Sequence, residues 1–197
     1  MSSEANAVSP EMGGRPLSDE AVVAATQHWL VRAVIGLNLC PFAKAVHAKG
    51  QIRYVVSEAR DMEGALTELE AELKWLAEAD PAQVDTTLLI LPRALGGFLE
   101  FNDCVFFAER LVDQLGLHGI VQIASFHPDY RFEGSEPEDI ENYTNRAPYP
   151  ILHLLREASV TRAVEAFPDA ADIYERNIET MQRLGHEGWR RWMGEER

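Results

Sequence analysis

Residues 86–91 read TTLLIL and run directly into Pro92-Arg93. A continuous apolar run this short is the pattern of a strand buried on both faces, as in a sheet with helices packed on either side. Upstream, Met62, Leu66, Leu69, Leu73 and Leu76 recur at helical spacing up to Pro81. Before them, Gln51–Ser57 alternates Ile52, Tyr54 and Val56 against Arg53 and Val55, a second strand. Downstream, Phe101, Val105, Ala108, Leu111, Val112 and Leu115 mark a helix closed by Gly116, followed by a third strand within GIVQIASF, residues 119–126. The order is βαβαβ, and right-handed crossovers would make its strands parallel.

The flanks read as helices. Ser18 is a cap, with Asp19 and Glu20 at the positive end of a helix over about 19–36 that Gly36 terminates; Leu17 can staple onto Val22. A short second helix ends near Gly50, with Pro41 in its first turn and Cys40 as its cap. In the last third, Pro150 starts a helix through Glu157, Ser159 caps another that stops at Pro168, and Asp169–Leu184 forms a third; Trp189 and Trp192 pin the C-terminus. The expected architecture is a single α/β domain over residues 17–197, preceded by a disordered tail at 1–16. It has a small three-stranded, mainly parallel sheet flanked by helices, an N-terminal helix and a helical C-terminal third. An α+β arrangement with one antiparallel strand is the competing topology.

The 197 residues carry a net charge of −14 and are 46% hydrophobic. Such an acidic surface repels nucleic-acid phosphates and anionic lipid. No stretch approaches the roughly 20 apolar residues of a membrane helix, and the polar, acidic N-terminus lacks the features of a secretory signal. These readings place the protein in the cytoplasm, with Cys40 and Cys104 as reduced thiols, and exclude nucleic acid and membrane as partners.

Ligands bind beyond the carboxyl ends of strands in open parallel sheets. That edge would gather Arg93, His127 and Asp129. The following text, SFHPDYRFEGSEPEDIENYTNRAPYPILHLLRE, is long for a connection, and its Tyr130, Phe132, Tyr143 and Tyr149 need burial. An ordered loop of this composition places donors around a small anionic or amide substrate. Cys40 at a helix start, one turn before Lys44, would be an activated thiol. With His127 as base and Asp139 or Asp129 as orienter it would form a nucleophilic triad. Arg93, Asn145, Arg146, Tyr149 and Arg156 are the expected substrate-binding residues. This reading is a cofactor-independent enzyme doing acyl or amide chemistry on a small molecule. A second reading takes a divalent metal on His127, Asp129 and His153, with His153 and Glu157 sharing a helix face. A third is a non-catalytic module that binds a metabolite or partner through residues 127–150. Cys104, among apolar neighbours, is packing. Gly96-Gly97 lacks a nucleotide-binding spacing and reads as a turn.

NLCPFAKAV at 38–46, SFHPDYRFEG at 125–134 and ENYTNRAPYPILHLLRE at 141–157 together resemble an uncharacterised bacterial family, domain of unknown function 1415. ERNIETMQRLGHEGW at 175–189 is similar too. The resemblance implies that Cys40, His127, Asp139, Asn145, Arg146, His153, Arg156 and Asn177 are signature positions. The family often has Ser where this chain has Ala147, so no hydroxyl is essential there. The resemblance supplies no reaction.

Overall fold

The structure, a computed structural model, describes residues 18–166 and 172–194. The tail at 1–16, the Leu17 staple and the helix boundaries at Pro168 and Asp169 lie outside the described residues. In chain order the elements are α1 (Asp19–Trp29), continuing as a π-helix (Leu30–Ile35), α2 (Ala43–Ala48), β1 (Ile52–Val56) and α3 (Met62–Glu78). Then come β2 (Thr86–Ile90), α4 (Phe98–Gln114), β3 (Val121–Phe126), a 3-10 turn (Ile140–Thr144), β4 (Ile151–Arg156), α5 (Glu157–Glu165) and α6 (Ile173–Met193).

The sheet has four strands in the order β1-β2-β4-β3. β1 and β2 are parallel, while β4 runs antiparallel to both β2 and β3. The expected helix from Pro150 is therefore a strand, and the sheet is mixed. Ile151, Leu152, Leu154 and Leu155 satisfy a helical stripe as well as a strand buried on both sides. The backbone partners decide between them: Leu152 pairs with Leu89 and Ser125 at once. His153 and Glu157 consequently do not share a helix face; one is in β4 and the other opens α5.

Period two along each strand sorts the side chains into two cores. On one face Leu89, Leu91, Leu152 and Leu154 pack under Leu69, Leu73 and Leu76 of α3 and Phe101, Cys104 and Ala108 of α4. On the other, Leu88, Ile90 and Ile151 pack under Val22 and Trp29 of α1, Leu30 of the π-helix, and Met181 and Trp189 of α6. Trp29 meets Phe126 edge to face, ring centroids 5.1 Å apart.

The caps follow the local chemistry. Ser18 accepts from the Ala21 amide and Asp61 from the Gly64 amide. Two boundaries differ from expectation. α2 starts at Ala43 with Phe42 as cap, so Cys40 stands outside it. The Leu39 and Cys40 amides both donate to Val34 O, so the chain is still closing the π-helical turn there. α5 starts at Glu157 rather than after Ser159, whose hydroxyl donates to Asp85 instead of capping. Among the described residues no helix is long and apolar enough to cross a membrane.

Leu154 is fully buried in the central strand. Leu154→Ala is expected to lower the unfolding free energy by about 2–5 kcal/mol in urea titrations. A loss below about 1 kcal/mol contradicts its place in the core.

Candidate functional site

β4 leaves its turn beside the carboxyl ends of β2 and β3, so residues 127–150 must fold onto that edge of the sheet. Their return begins at β3 itself: the His127 amide donates to Asn145 O and the Ala147 amide to His127 O. Asn145 adds a bond from its side-chain amide to Ser125 O.

The loop is organised around Asn142, which is fully buried. Its Oδ1 accepts from the Phe132 amide at 3.0 Å and the Ser135 hydroxyl at 2.8 Å, and its Nδ2 donates to Glu136 O at 2.7 Å. Asp139 closes a local turn by accepting from the Glu136 amide. Arg146 spans the loop, with Nε donating to Tyr130 O and Nη2 to Pro137 O, its guanidinium 4.2 Å over the Tyr143 ring. Asn142→Ala would strand part-buried backbone groups at 132 and 136, and is expected to cost about 1–3 kcal/mol in thermal or urea unfolding. An unchanged stability would show that the loop is held otherwise.

His127 is fully buried, its ring 5.4 Å from that of Phe98 and 5.1 Å from that of Phe101. Its Nε2–H donates to Leu95 O at 3.1 Å and its Nδ1 accepts from the Asp129 amide at 3.0 Å. Leu95 holds a left-handed backbone, φ 57°, which puts that carbonyl in reach. Burial lowers the His127 pKa, against the opposing pull of the Leu95 carbonyl and the Asp129 charge. With both nitrogens committed, the imidazole is a neutral structural bridge with no lone pair to take a proton.

Cys40 packs against the core on the α1–α6 side, whereas His127 packs against α4 on the opposite side of the sheet. Asp139 is engaged with Glu136 rather than with either. The structure does not bring Cys40, His127 and Asp139 together.

His153 projects from mid-sheet on the α1–α6 face, 6.1 Å from the Phe126 ring and 2.7 Å from Thr86 Oγ1. Thr86 spends its one proton on Leu154 O, so His153 Nε2–H is the donor. His127 and His153 thus point to opposite faces and do not converge with Asp129. Among the described residues no group of three or more His, Cys, Asp or Glu is placed to hold a metal ion.

The remaining expected binders are spread out. Arg93 donates to Ser57 O and pairs with Asp19 at 3.0 Å and Glu58 at 3.3 Å, tying α1 to the strand ends. Arg156 is buried and donates to Ala79 O and Val84 O. Tyr149 packs partly buried into the α1–α6 core, and Asn177 holds Leu39 O.

Arg146 lies elsewhere, on the wall of a groove of about 620 Å³ between the loop and α6. Gly185, at φ 63° and ψ 175°, breaks α6, and after the break His186, Trp189 and Arg190 fall on one helical face. Tyr143 forms the floor, edge to face with Trp189 at 5.3 Å and His186 at 5.4 Å. Pro137 and Glu138 complete the rim. Sequence reading assigns His186 no role and Arg190 none. The signal was the 186/189/190 spacing after a glycine, which gains meaning only when α6 docks on residues 140–144.

Burial holds the His153 pKa down at about 4. A histidine with a folded pKa below its unfolded value of about 6.5 stabilises the fold above that value and loses this contribution as pH falls towards the folded pKa. Stability should therefore decline between pH 6.5 and 4, and His153→Gln, which retains a donor for Thr86, should flatten that decline in urea titrations across pH. An identical slope in the variant contradicts the assignment.

A mixed four-stranded sheet between two helical layers, with an ordered loop folded over one edge, defines an α/β protein. The chain belongs to the family described as protein of unknown function (DUF1415), whose model matches residues 21–191. Neither a curated protein nor a solved structure matches the chain.

Proposed function

We propose that the protein binds a small anionic molecule with a flat or aromatic part in the groove between residues 137–146 and α6. One observation carries this reading: Arg146, Arg190 and His186 converge on an aromatic floor of Tyr143 and Trp189. Among the described residues that line the groove Glu138 is the one carboxylate, so the groove is locally basic in a chain of net charge −14. An aromatic floor with a few fixed polar groups at the rim is how small-molecule sites combine affinity with orientation, and the volume falls in their usual range. Arg146 is already oriented by Tyr130 O and Pro137 O, so little freedom is lost when its remaining N–H groups meet a carboxylate or phosphate.

A cysteine-dependent reaction would need a base on the Cys40 side of the sheet. His127 is on the other side, with neither nitrogen to spare, and His153, on the Cys40 side, is held in mid-sheet by Thr86 with its pKa lowered by burial. Binding is therefore favoured over nucleophilic catalysis at Cys40.

Phenyl phosphate and benzoate serve as probes, with tryptophan fluorescence as the readout because Trp189 lies in the groove. A saturable change is expected, weakened at least about tenfold by Arg190→Ala, whose exposed side chain can be removed without unfolding the protein. No saturable change with either probe, or equal affinity in the variant, overturns the reading.

A further inference from the structure

On the side of the sheet away from that groove, α3 and α4 form the outer layer. Together they carry nine carboxylates against only two cations, Lys74 and Arg110. The same layer leaves apolar side chains bare: Phe106 is 55% exposed, Phe107 48% and Leu99 73%. Phe106 and Phe107 meet edge to face, centroids 5.5 Å apart, and Arg110 lies 5.6 Å over Phe106. Two adjacent half-bare aromatic rings beside further apolar surface are the kind of patch that soluble proteins reserve for contact with something else.

The patch continues into a groove of about 670 Å³ between the two helices. Met62, Leu66, Phe107 and Leu111 give it an apolar floor; Glu63 and Glu70, the latter paired with Lys74, line the α3 rim, and Arg110 and Gln114 line the α4 rim. From Met62 to Glu70 it follows α3 for about 12 Å, two helical turns.

We propose that this groove docks a basic amphipathic helix of a partner protein. An apolar channel between two helices accepts the apolar face of a third through side chains at helical spacing. The acidic α3 rim, within a helical layer that carries nine carboxylates, then meets lysines and arginines flanking that face, which sets orientation and speeds encounter. Charge also selects among occupants. A second copy of this chain would bring the same acidic helices against themselves, and an anionic lipid surface or nucleic acid would be repelled likewise. The inference is independent of the anion groove, because the two surfaces lie on opposite faces of the sheet.

The test uses the full chain and a fluorescein-labelled helical peptide of about 18 residues, with leucine and lysine at amphipathic spacing. Anisotropy is expected to saturate. Phe107→Asp should weaken the affinity at least about tenfold, with circular dichroism and Tm unchanged because Phe107 is half exposed. Glu63→Lys should weaken it through the rim alone. A peptide of equal length and charge in which prolines replace two leucines should bind at least about tenfold more weakly. The proposal is overturned by any of four outcomes. These are no saturable binding, equal binding of the proline-broken peptide, unchanged affinity in both variants, or a homodimer in sedimentation velocity that Phe107→Asp dissociates.

Discussion

β3 has one hydrogen-bonded neighbour in the sheet, β4, and β2 reaches β3 only through it. Ile151–Arg156 therefore supplies the backbone partners on which both halves of the sheet depend. The same six residues feed both cores: Leu152 and Leu154 pack towards α3 and α4, Ile151 towards α1 and α6. The strand's last residue, Arg156, reaches the carbonyls of Ala79 and Val84 and so locks the α3–β2 connection to the sheet. The outer strands are protected differently. On β1, Arg53 is held by Glu72 at 2.9 Å and lies 4.2 Å over Trp75, which places a charged group at the open edge.

Inserting β4 antiparallel beside β3 has a geometric cost. Neighbouring antiparallel strands are usually joined by a tight hairpin, yet residues 127–150 intervene here. That length is accommodated because Asn142 replaces a missing secondary structure with three hydrogen bonds of its own. A loop so organised forms one wall of the groove, and α6, bonded through Gln182 to Glu141, supplies the other.

Three strands, the two long helices and the N-terminal helix were readable from periodicity, because their apolar spacing matches one template and not another. The six residues of β4 were not, since ILHLLR fits both a strand and a helical stripe and only its neighbours discriminate. The π-helical turn after Trp29 has no sequence signature, and it displaced Cys40 from the helix start on which its expected reactivity rested. His127 was correctly placed at a strand end, but composition cannot reveal that Leu95 and Asp129 consume both its nitrogens. Arg146 stood out within an unusual loop. Its companions His186 and Arg190 lie some forty residues away and meet it only through the packing of α6.

The strand order also dictates when the sheet can be completed. A chain emerging from the ribosome presents β1, α3 and β2 as a unit that can pair at once. β3 follows, yet it stays without a partner until the residues beyond 150 have been made. During that interval β2 and β3 each present an open edge to the same missing strand, the configuration that invites pairing with another chain. Synthesis of Ile151–Arg156 is thus the step that removes two sticky edges together, and interruption before it leaves both uncovered.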